Sequence, residues 1–173
     1  LVQEKNRLST SIDRDARQSI EEAVEFYRRQ LQSLDEQLAQ LMQADPAFRK
    51  KLDLLVSVPG VGPTTAAALT AEVPELGRLN RRQAARLVGL APINRDSGTL
   101  RGKRMIGGGR ATVRKGLYMA TLVAAKHNPV IRAFYQRLLQ QGKAKMVALT
   151  ACMRKLLLIL NAIVKTNQPW KHA

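Results

Sequence analysis

The amino-acid sequence predicts an all-α protein: a long N-terminal helix, then a helix-hairpin-helix and a compact basic helical domain around a mobile, glycine-rich loop. Hydrophobic residues make up 45% of the 173 residues, which suits a folded core, but aromatic residues make up only 4%. A core of Leu, Val and Ala favours packed helices over sheets, in which aromatic residues are enriched. Glycine and proline are also absent from residues 3–43, as a long helix requires.

The first predicted element, the long helix, carries a heptad pattern. Its apolar residues recur in alternating steps of four and three: Ile20, Val24, Tyr27, Leu31, Leu34, Leu38 and Leu41. Such a seam is typical of a coiled coil. Residues 1–45 are therefore predicted to form a coiled-coil dimerisation helix, whose partner is a second chain or an earlier helix of the same protein. A single amphipathic helix lying on its own domain is the alternative.

The end of this helix is predicted at Asp45-Pro46, because the residue before a proline disfavours the helical conformation. The chain starts at Leu1, inside the predicted helix, so we interpret it as a fragment of a longer protein.

The second predicted element is a helix-hairpin-helix at about residues 52–72, with helices at 47–56 and 64–72 around a turn. Gly60 and Gly62 allow unusual backbone angles and let a phosphate approach closely. N–H groups at the start of the second helix can then hold that phosphate, and Pro63 suits the first helical position. We therefore predict that Gly60, Val61 and Gly62 bind a nucleic-acid backbone. A plain loop is the alternative role of this turn.

A short helix and a long loop follow. Asn80 is predicted to cap a helix over residues 81–88 that carries Arg81, Arg82 and Arg86, and Gly89 to end it. Residues 89–109 are glycine-rich and basic without helical periodicity. Long loops in compact domains are usually functional or disordered. A short hairpin around 93–106 is the alternative to an irregular loop.

Three further helices are predicted, at residues 110–126, 130–141 and 144–166, with His127-Asn128-Pro129 between the first two. Helical spacing predicts which of their residues form the core. These residues are Leu117, Thr121, Leu122, Ala125, Met146, Leu149, Met153, Leu156, Leu157, Leu160 and Val164. Residues 46–173 are therefore predicted to form one domain.

The positive charge is concentrated in this domain. The net charge is +16 overall, but residues 1–45 carry −3 and residues 46–173 carry +19. A concentrated polycation repels itself unless a polyanion neutralises it, and nucleic acid is the usual polyanion. A generally basic proteome or adhesion to an anionic membrane is the alternative explanation.

The sequence gives no sign of a disulfide-bonded, membrane-spanning or metal-binding protein. The single cysteine, Cys152, allows no disulfide within the chain, which fits a reducing compartment. The absence of a signal peptide and of an 18-residue apolar span predicts a soluble cytoplasmic protein with no membrane partner. The only histidines are His127, interpreted as a helix-end residue, and His172, interpreted as exposed tail. No metal site is predicted in this sequence.

Residues 78–115 could carry phosphodiester chemistry. They hold 11 basic residues and one acid, Asp96, directly before Ser97-Gly98. Arginine forks match phosphate oxygens, neutralise charge that grows at phosphorus and favour ionisation of a hydroxyl. Ser97 is thus the candidate nucleophile, although Asp-Ser-Gly alone is a common turn. The candidate phosphate-binding residues are Arg95, Arg101, Lys103, Arg104, Arg110 and Arg114. A tyrosine nucleophile, as in tyrosine recombinases, is not predicted, because no Arg-His-Arg-Tyr arrangement accompanies the tyrosines.

A family resemblance rests on several short motifs in order. They are residues 55–62 (Leu-Val-Ser-Val-Pro-Gly-Val-Gly), residues 84–92 (Ala-Ala-Arg-Leu-Val-Gly-Leu-Ala-Pro), Asp96-Ser97-Gly98, the glycine-rich basic run to Arg114, His127-Asn128-Pro129 and Gly142-Lys143. Over about residues 50–166 the chain resembles the C-terminal domain of the bridge-RNA-guided insertion-sequence transposases, the "one-ten" family. That family is similar to Piv-type DNA invertases.

The resemblance implies a function. In this family a serine, matched here by Ser97, attacks DNA and forms a covalent phosphoserine link. The full enzyme has a RuvC-like domain with four acidic metal-binding residues, expected to hold Mg²⁺, then a coiled coil and then this domain. A guide (bridge) RNA pairs with target and donor DNA.

The RuvC-like domain is absent from this sequence, so we expect the fragment to be inactive alone. We expect the whole enzyme to work as a homodimer or higher homo-oligomer at the bacterial nucleoid. A non-catalytic nucleic-acid-binding and dimerisation module is the alternative function.

Overall fold

The computed structural model describes residues 2–4, 6, 14–94, 96–102 and 104–171. It divides into two compact units, Leu1–Arg49 and Lys50–Ala173. The described residues are mostly helical, and their strands are each two residues long. The predicted all-α class is therefore confirmed.

The first unit consists mainly of helix α1, Arg14–Ala44, and residues 2–4 and 6 are also helical. The predicted seam has two parts. Ile20 and Val24 are buried, whereas Tyr27, Leu31 and Leu34 are 44%, 48% and 58% exposed. The side chains of Leu38 and Leu41 lie outside the described residues. In this single chain, the middle of the seam is an uncovered apolar stripe.

Helix α2, Pro46–Val56, begins at the predicted break. The Asp45 carboxylate accepts hydrogen bonds from the backbone N–H groups of Ala47 and Phe48, at 2.9 and 3.1 Å. Such N-capping satisfies donors that the first helical turn leaves free. Asp45-Pro46 therefore both ends α1 and starts α2.

The second unit is built on five further helices. They are α3 (Pro63–Glu72), α4 (Arg81–Leu87), α5 (Ala111–His127), α6 (Pro129–Gln140) and α7 (Lys145–Thr166). Helix α5 packs against α3, α6 and α7, and α7 also packs against α4 and α6. The core between them includes the fully buried Leu55, Leu69, Leu117, Ile131, Leu156, Leu157 and Leu160.

Most predicted core residues of α5 and α7 are inside. Leu117 and Thr121 are fully buried, Leu122, Ala125 and Val164 are half-buried, and Leu149, Met153, Leu156, Leu157 and Leu160 are buried. The prediction for Met146 is wrong, because this residue is 59% exposed. It lies in the first turn of α7, before the first buried residue of that helix, Ala148.

The structure confirms the prediction for Cys152 but contradicts the prediction that the chain has no long apolar span. Cys152 is fully buried, and burial raises the pKa of its thiol to about 11, so it is a core residue as predicted. Contrary to prediction, α7 is long and apolar enough to cross a membrane by length and composition alone. Half of its apolar window is buried inside the protein, which is the ordinary state of a core helix.

The described part of residues 92–106 folds as a β-hairpin, which confirms the alternative to an irregular loop. Strand β1 (Pro92–Ile93) pairs antiparallel with β4 (Met105–Ile106), and β2 (Asp96–Ser97) pairs antiparallel with β3 (Leu100–Arg101). Gly98, with φ of +57°, provides the left-handed conformation that a two-residue hairpin turn favours. We call residues 89–109 the serine hairpin.

Candidate nucleic-acid interface

Ser97 lies near the tip of the serine hairpin. It is the last residue of β2, directly before the Gly98-Thr99 turn and opposite Leu100, and it is exposed. Within the part of the chain that the structure describes, no hydrogen bond engages its hydroxyl. The hydroxyl is therefore open to a ligand.

Of the four cations predicted in the hairpin, the structure describes the side chain of Arg104. Arg104 is exposed, and its Nη2 lies 4.0 Å from Oδ2 of Asp96, the residue next to Ser97. Arg101 lies in β3, but its side chain lies outside the described residues, as do Arg95 and Lys103 altogether. Arg104 is thus the described cation that shares the hairpin with Ser97.

Two glycines close the base of the serine hairpin. Gly89 and Gly109 have φ of +71° and +59°. A Cβ on Gly109 would lie 2.5 Å from Gly89 N and from Leu87 O, so the two ends of the hairpin meet without room for a side chain. The backbone N–H of Arg110 donates to Leu87 O at 2.9 Å. Gly109 therefore belongs to a tight junction at the start of α5.

Arg114 holds the same junction from α5. Its Nη1 donates to Val88 O at 3.0 Å and to Gly108 O at 2.6 Å. Val88 precedes the hairpin and Gly108 lies at its end, so one guanidinium ties both ends together. This role was not predicted, because a sequence shows the charge of an arginine but not the carbonyls it meets.

Arg110 pairs with an acid of the same unit. Its Nη1 and Nη2 donate to the two carboxylate oxygens of Glu75, both at 2.8 Å. These hydrogen bonds lower the pKa of Glu75 to about 2, and they raise the pKa of Arg110. Sequence reasoning missed Glu75, although it is one of four acids in residues 46–173. A rare acid in a basic domain is a signal that could have identified it.

The predicted glycine turn joins α2 to α3. Gly60 has φ of +101°, and a Cβ there would lie 2.6 Å from the backbone nitrogen of Ala124 in α5. The Val61 N–H donates to Val58 O at 3.0 Å, so it is used within the turn. Gly62 is the N-cap of α3 and has open space around it. The two glycines therefore serve different purposes, packing at Gly60 and access at Gly62.

The start of α3 offers free backbone donors. Pro63 occupies the first turn, as predicted. Among the described residues, none accepts a hydrogen bond from the amides of Gly62, Thr64 and Thr65. Free N–H groups at the positive end of a helix suit a phosphate.

Asn128 connects the glycine turn to the break between α5 and α6. Its side chain is fully buried. Its Oδ1 accepts from the N–H groups of Val130 and Ile131, and its Nδ2 donates to Pro59 O at 3.4 Å. One side chain thus caps α6 and holds the glycine turn. His127 is the last residue of α5, as predicted, and it is exposed.

The described residues do not fit a metal ion. In residues 14–94, 96–102 and 104–171, together with 2–4 and 6, no three His, Cys, Asp or Glu side chains come together. Guanidinium groups and N–H donors cannot ligate Mg²⁺, which prefers oxygen ligands. The Mg²⁺ that the sequence resemblance implies is expected in the RuvC-like domain and not among these residues.

Comparisons with known proteins agree on a family. The model of a family described as the IS116/IS110/IS902 transposases matches residues 52–136, from α2 to α6. The chain is also similar to the pilin gene-inverting proteins of Moraxella bovis and Moraxella lacunata. Identity is 32% over 141 residues, which cover 79% of this chain and 44% of each relative. The chain thus spans about half the length of the curated relatives it matches.

Proposed function

The chain belongs, through residues 52–136, to the IS116/IS110/IS902 transposase family, and on this premise we propose that it is the serine-bearing part of a DNA recombinase. The Ser97 hydroxyl attacks a phosphorus atom of the DNA backbone. Its proton leaves, an Oγ–P bond forms, and the bond from phosphorus to one deoxyribose oxygen breaks. That oxygen takes up a proton and becomes a free strand end. Attack by another strand end on the phosphoserine reverses these changes and joins the new strands.

The observation that supports this proposal is the placement of Ser97. The hydroxyl lies exposed at the end of β2, beside a turn, on a hairpin whose two ends are tied by Gly89, Gly109 and Arg114. A nucleophile gains most when its position is fixed before the substrate arrives. The match to pilin gene-inverting proteins favours strand exchange as the reaction class.

The cations divide between two roles in this proposal. Arg104, with Arg95, Arg101 and Lys103, neutralises the phosphate that reacts with Ser97. Arg110 and Arg114 bind phosphate only if they exchange their partners, Glu75 and the carbonyls of Val88 and Gly108. Gly62 and the first amides of α3 hold a DNA backbone at a second point.

The complete enzyme requires parts outside this chain. By the family resemblance, we propose a RuvC-like domain that holds Mg²⁺, which supplies metal-assisted phosphate chemistry, and a guide RNA that selects the DNA. The uncovered stripe of Tyr27, Leu31 and Leu34 suits a homodimeric coiled coil. Such an enzyme works in the bacterial cytoplasm, on the nucleoid.

A trapping assay tests the nucleophile. The complete enzyme, with Mg²⁺, guide RNA and labelled DNA, is denatured, and protein–DNA adducts are measured for Ser97→Ala and for Thr99→Ala. Thr99 is a matched control, because it is an exposed hydroxyl in the same turn. We expect the adduct to vanish only in Ser97→Ala. An adduct that persists in Ser97→Ala would move the chemistry to another residue.

A nucleic-acid-binding and dimerisation module without chemistry is the second candidate. It is favoured by the internal pairing of Arg110 and Arg114, which leaves Arg104 as the described hairpin cation that can reach DNA. Such a module forms only reversible complexes, which weaken steeply as salt rises. The same assay separates the two candidates, since a module yields no adduct in any variant.

A further inference from the structure

One cluster of four arginines lies outside the glycine turn and the serine hairpin. Arg78, Arg81, Arg82 and Arg86 fall within nine residues, and all four are exposed. In the part of the chain that the structure describes, none of them forms an ion pair. We call these four residues the arginine ridge.

The arginines of the ridge that belong to helix α4 lie in positions where their positive charge destabilises this helix. Arg81 and Arg82 occupy the first turn of the helix, where the positive end of the helix dipole disfavours cations. Arg82 and Arg86 are four residues apart, so like charges lie on adjacent turns of one face. Both features destabilise a helix of only seven residues. A ligand that carries negative charge reverses the sign of both effects.

The backbone that carries the ridge is nevertheless fixed at several points. Asn80 and Gln83 form a capping box at the start of α4. The buried side chain of Asn161, from α7, accepts from Gly77 N at 2.8 Å and donates to Leu79 O at 2.9 Å. Hydrogen bonds on both sides of Arg78 thus hold the loop before α4, and the guanidiniums project from a preorganised support.

A cleft leads from the ridge to the base of the serine hairpin. It has a volume of about 570 Å³ and is lined by Glu75, Leu79, Gln83, Arg86, Leu87, Gly109 and Arg110. Arg86 belongs to the ridge, and Gly109 and Arg110 belong to the junction described above. No aromatic ring lines the cleft, so it lacks the stacking platform that unpaired bases require. A paired duplex, which presents its phosphates outward, suits this surface.

We propose that the arginine ridge binds the phosphodiester backbone of duplex DNA, as a contact separate from the glycine turn and the serine hairpin. Guanidinium forks match phosphate oxygens, and exposed arginines on a fixed helix follow a backbone without reading its sequence. The inference rests on the proposed function only for its choice of DNA as the polyanion.

The test is the salt dependence of DNA binding. Arg81→Gln/Arg82→Gln is compared with Lys126→Gln/Arg132→Gln, which removes two exposed cations from α5 and α6. Binding of the full chain to a short mixed-sequence DNA duplex is titrated from about 50 to 200 mM salt. Each lost phosphate contact lowers the salt slope by about one and the affinity at 0.1 M salt by about tenfold. We expect these losses in the ridge variant but not in the control.

Equal losses in both variants would overturn the proposal, because they would indicate charge without a defined surface. The same titration is made with a duplex RNA of the same length. If the ridge variant loses affinity only for the RNA, DNA is not the ligand of the ridge. These results are independent of the Ser97 adduct, since binding requires no cleavage. If the full chain has no salt-dependent affinity for DNA, both the inference and the proposed DNA function fail.

Thermal unfolding provides a second, independent readout. Removal of cations from the start of α4 is expected to leave the Tm of the ridge variant unchanged or slightly higher. Lower DNA affinity at equal or higher stability supports a binding role. A ridge variant with a lowered Tm contradicts it, because the arginines would then stabilise the fold itself.

Discussion

Gly60 and Gly62 are separated by one position, but their surroundings in the structure differ. Gly60 combines a left-handed φ with contact against the backbone of Ala124, whereas Gly62 has an ordinary φ of −85° and open surroundings. The sequence alone does not separate a glycine that packs against a neighbouring helix from a glycine with open space around it. Only the neighbours distinguish the two.

Alanine substitutions separate these roles. We expect Gly60→Ala to lower the free energy of unfolding by about 2 to 4 kcal/mol, from backbone strain and overpacking. Gly62→Ala is expected to cost under about 1 kcal/mol, but to weaken DNA binding because a Cβ obstructs the phosphate. Urea denaturation and DNA titration measure the two effects. Similar destabilisation by both substitutions would contradict this division.

Glu75 is the residue whose protonation the structure links to stability. Its pKa falls from the ordinary 4.5 to about 2, chiefly because Arg110 donates two hydrogen bonds to the carboxylate. A lowered folded-state pKa contributes stability that is fully present above pH 4.5 and is lost as the pH falls towards 2. Glu75→Gln lacks this contribution.

We therefore expect the stability difference between wild type and Glu75→Gln to be constant at neutral pH and to shrink below pH 4.5. Denaturant titrations at several pH values measure it. Asp53→Asn, at an exposed acid of α2, is the control for general loss of charge. A difference that stays constant down to pH 2 would exclude the Glu75–Arg110 pair as its source.

At the scale of elements, helix boundaries followed from local signals. The helices predicted to start at residues 47, 64 and 81 begin at Pro46, Pro63 and Arg81. Their capping positions are occupied by Asp45, Gly62 and Asn80, of which only Asn80 was predicted as a cap. Caps act over three or four residues, so their chemistry is visible in a linear sequence. The sequence could not choose between loop and hairpin for residues 89–109, because Pro92 pairs with Ile106 across fourteen positions without a clear alternating pattern.

Helix α1 carries the prediction that belongs to this scale. Leu31 and Leu34 are about half exposed, on the stripe that the heptad pattern assigns to a partner. We expect Leu31→Glu/Leu34→Glu to convert an oligomer into a monomer, because charges at seam positions oppose coiled-coil packing. Sedimentation measures the change, and Gln30→Glu/Gln37→Glu, at exposed positions outside the seam, is its control. An oligomer of unchanged size would contradict a coiled-coil interface.

At the scale of the whole chain, the strong positive charge of residues 46–173 serves several distinct purposes. Arg110 and Arg114 are engaged by Glu75 and by backbone carbonyls, so they stabilise the junction under the serine hairpin. Arg78, Arg81, Arg82 and Arg86 have no such partners among the described residues and remain available to a polyanion. Net charge alone predicts the class of ligand but not which cations contact it.

The sequence by itself determined the all-α class, the helix boundaries, the core character of Cys152 and the resemblance to a transposase family. These features depend on composition, short-range periodicity and motif order, all of which a linear chain records. The tertiary structure alone decided that Gly60 packs on Ala124, that Arg114 ties Val88 to Gly108, and that Glu75 holds Arg110. These contacts join residues that are far apart in sequence: 64 positions for Gly60 and Ala124, 35 for Glu75 and Arg110, and 20 for Val88 and Gly108. Such pairs come together only when the helices pack.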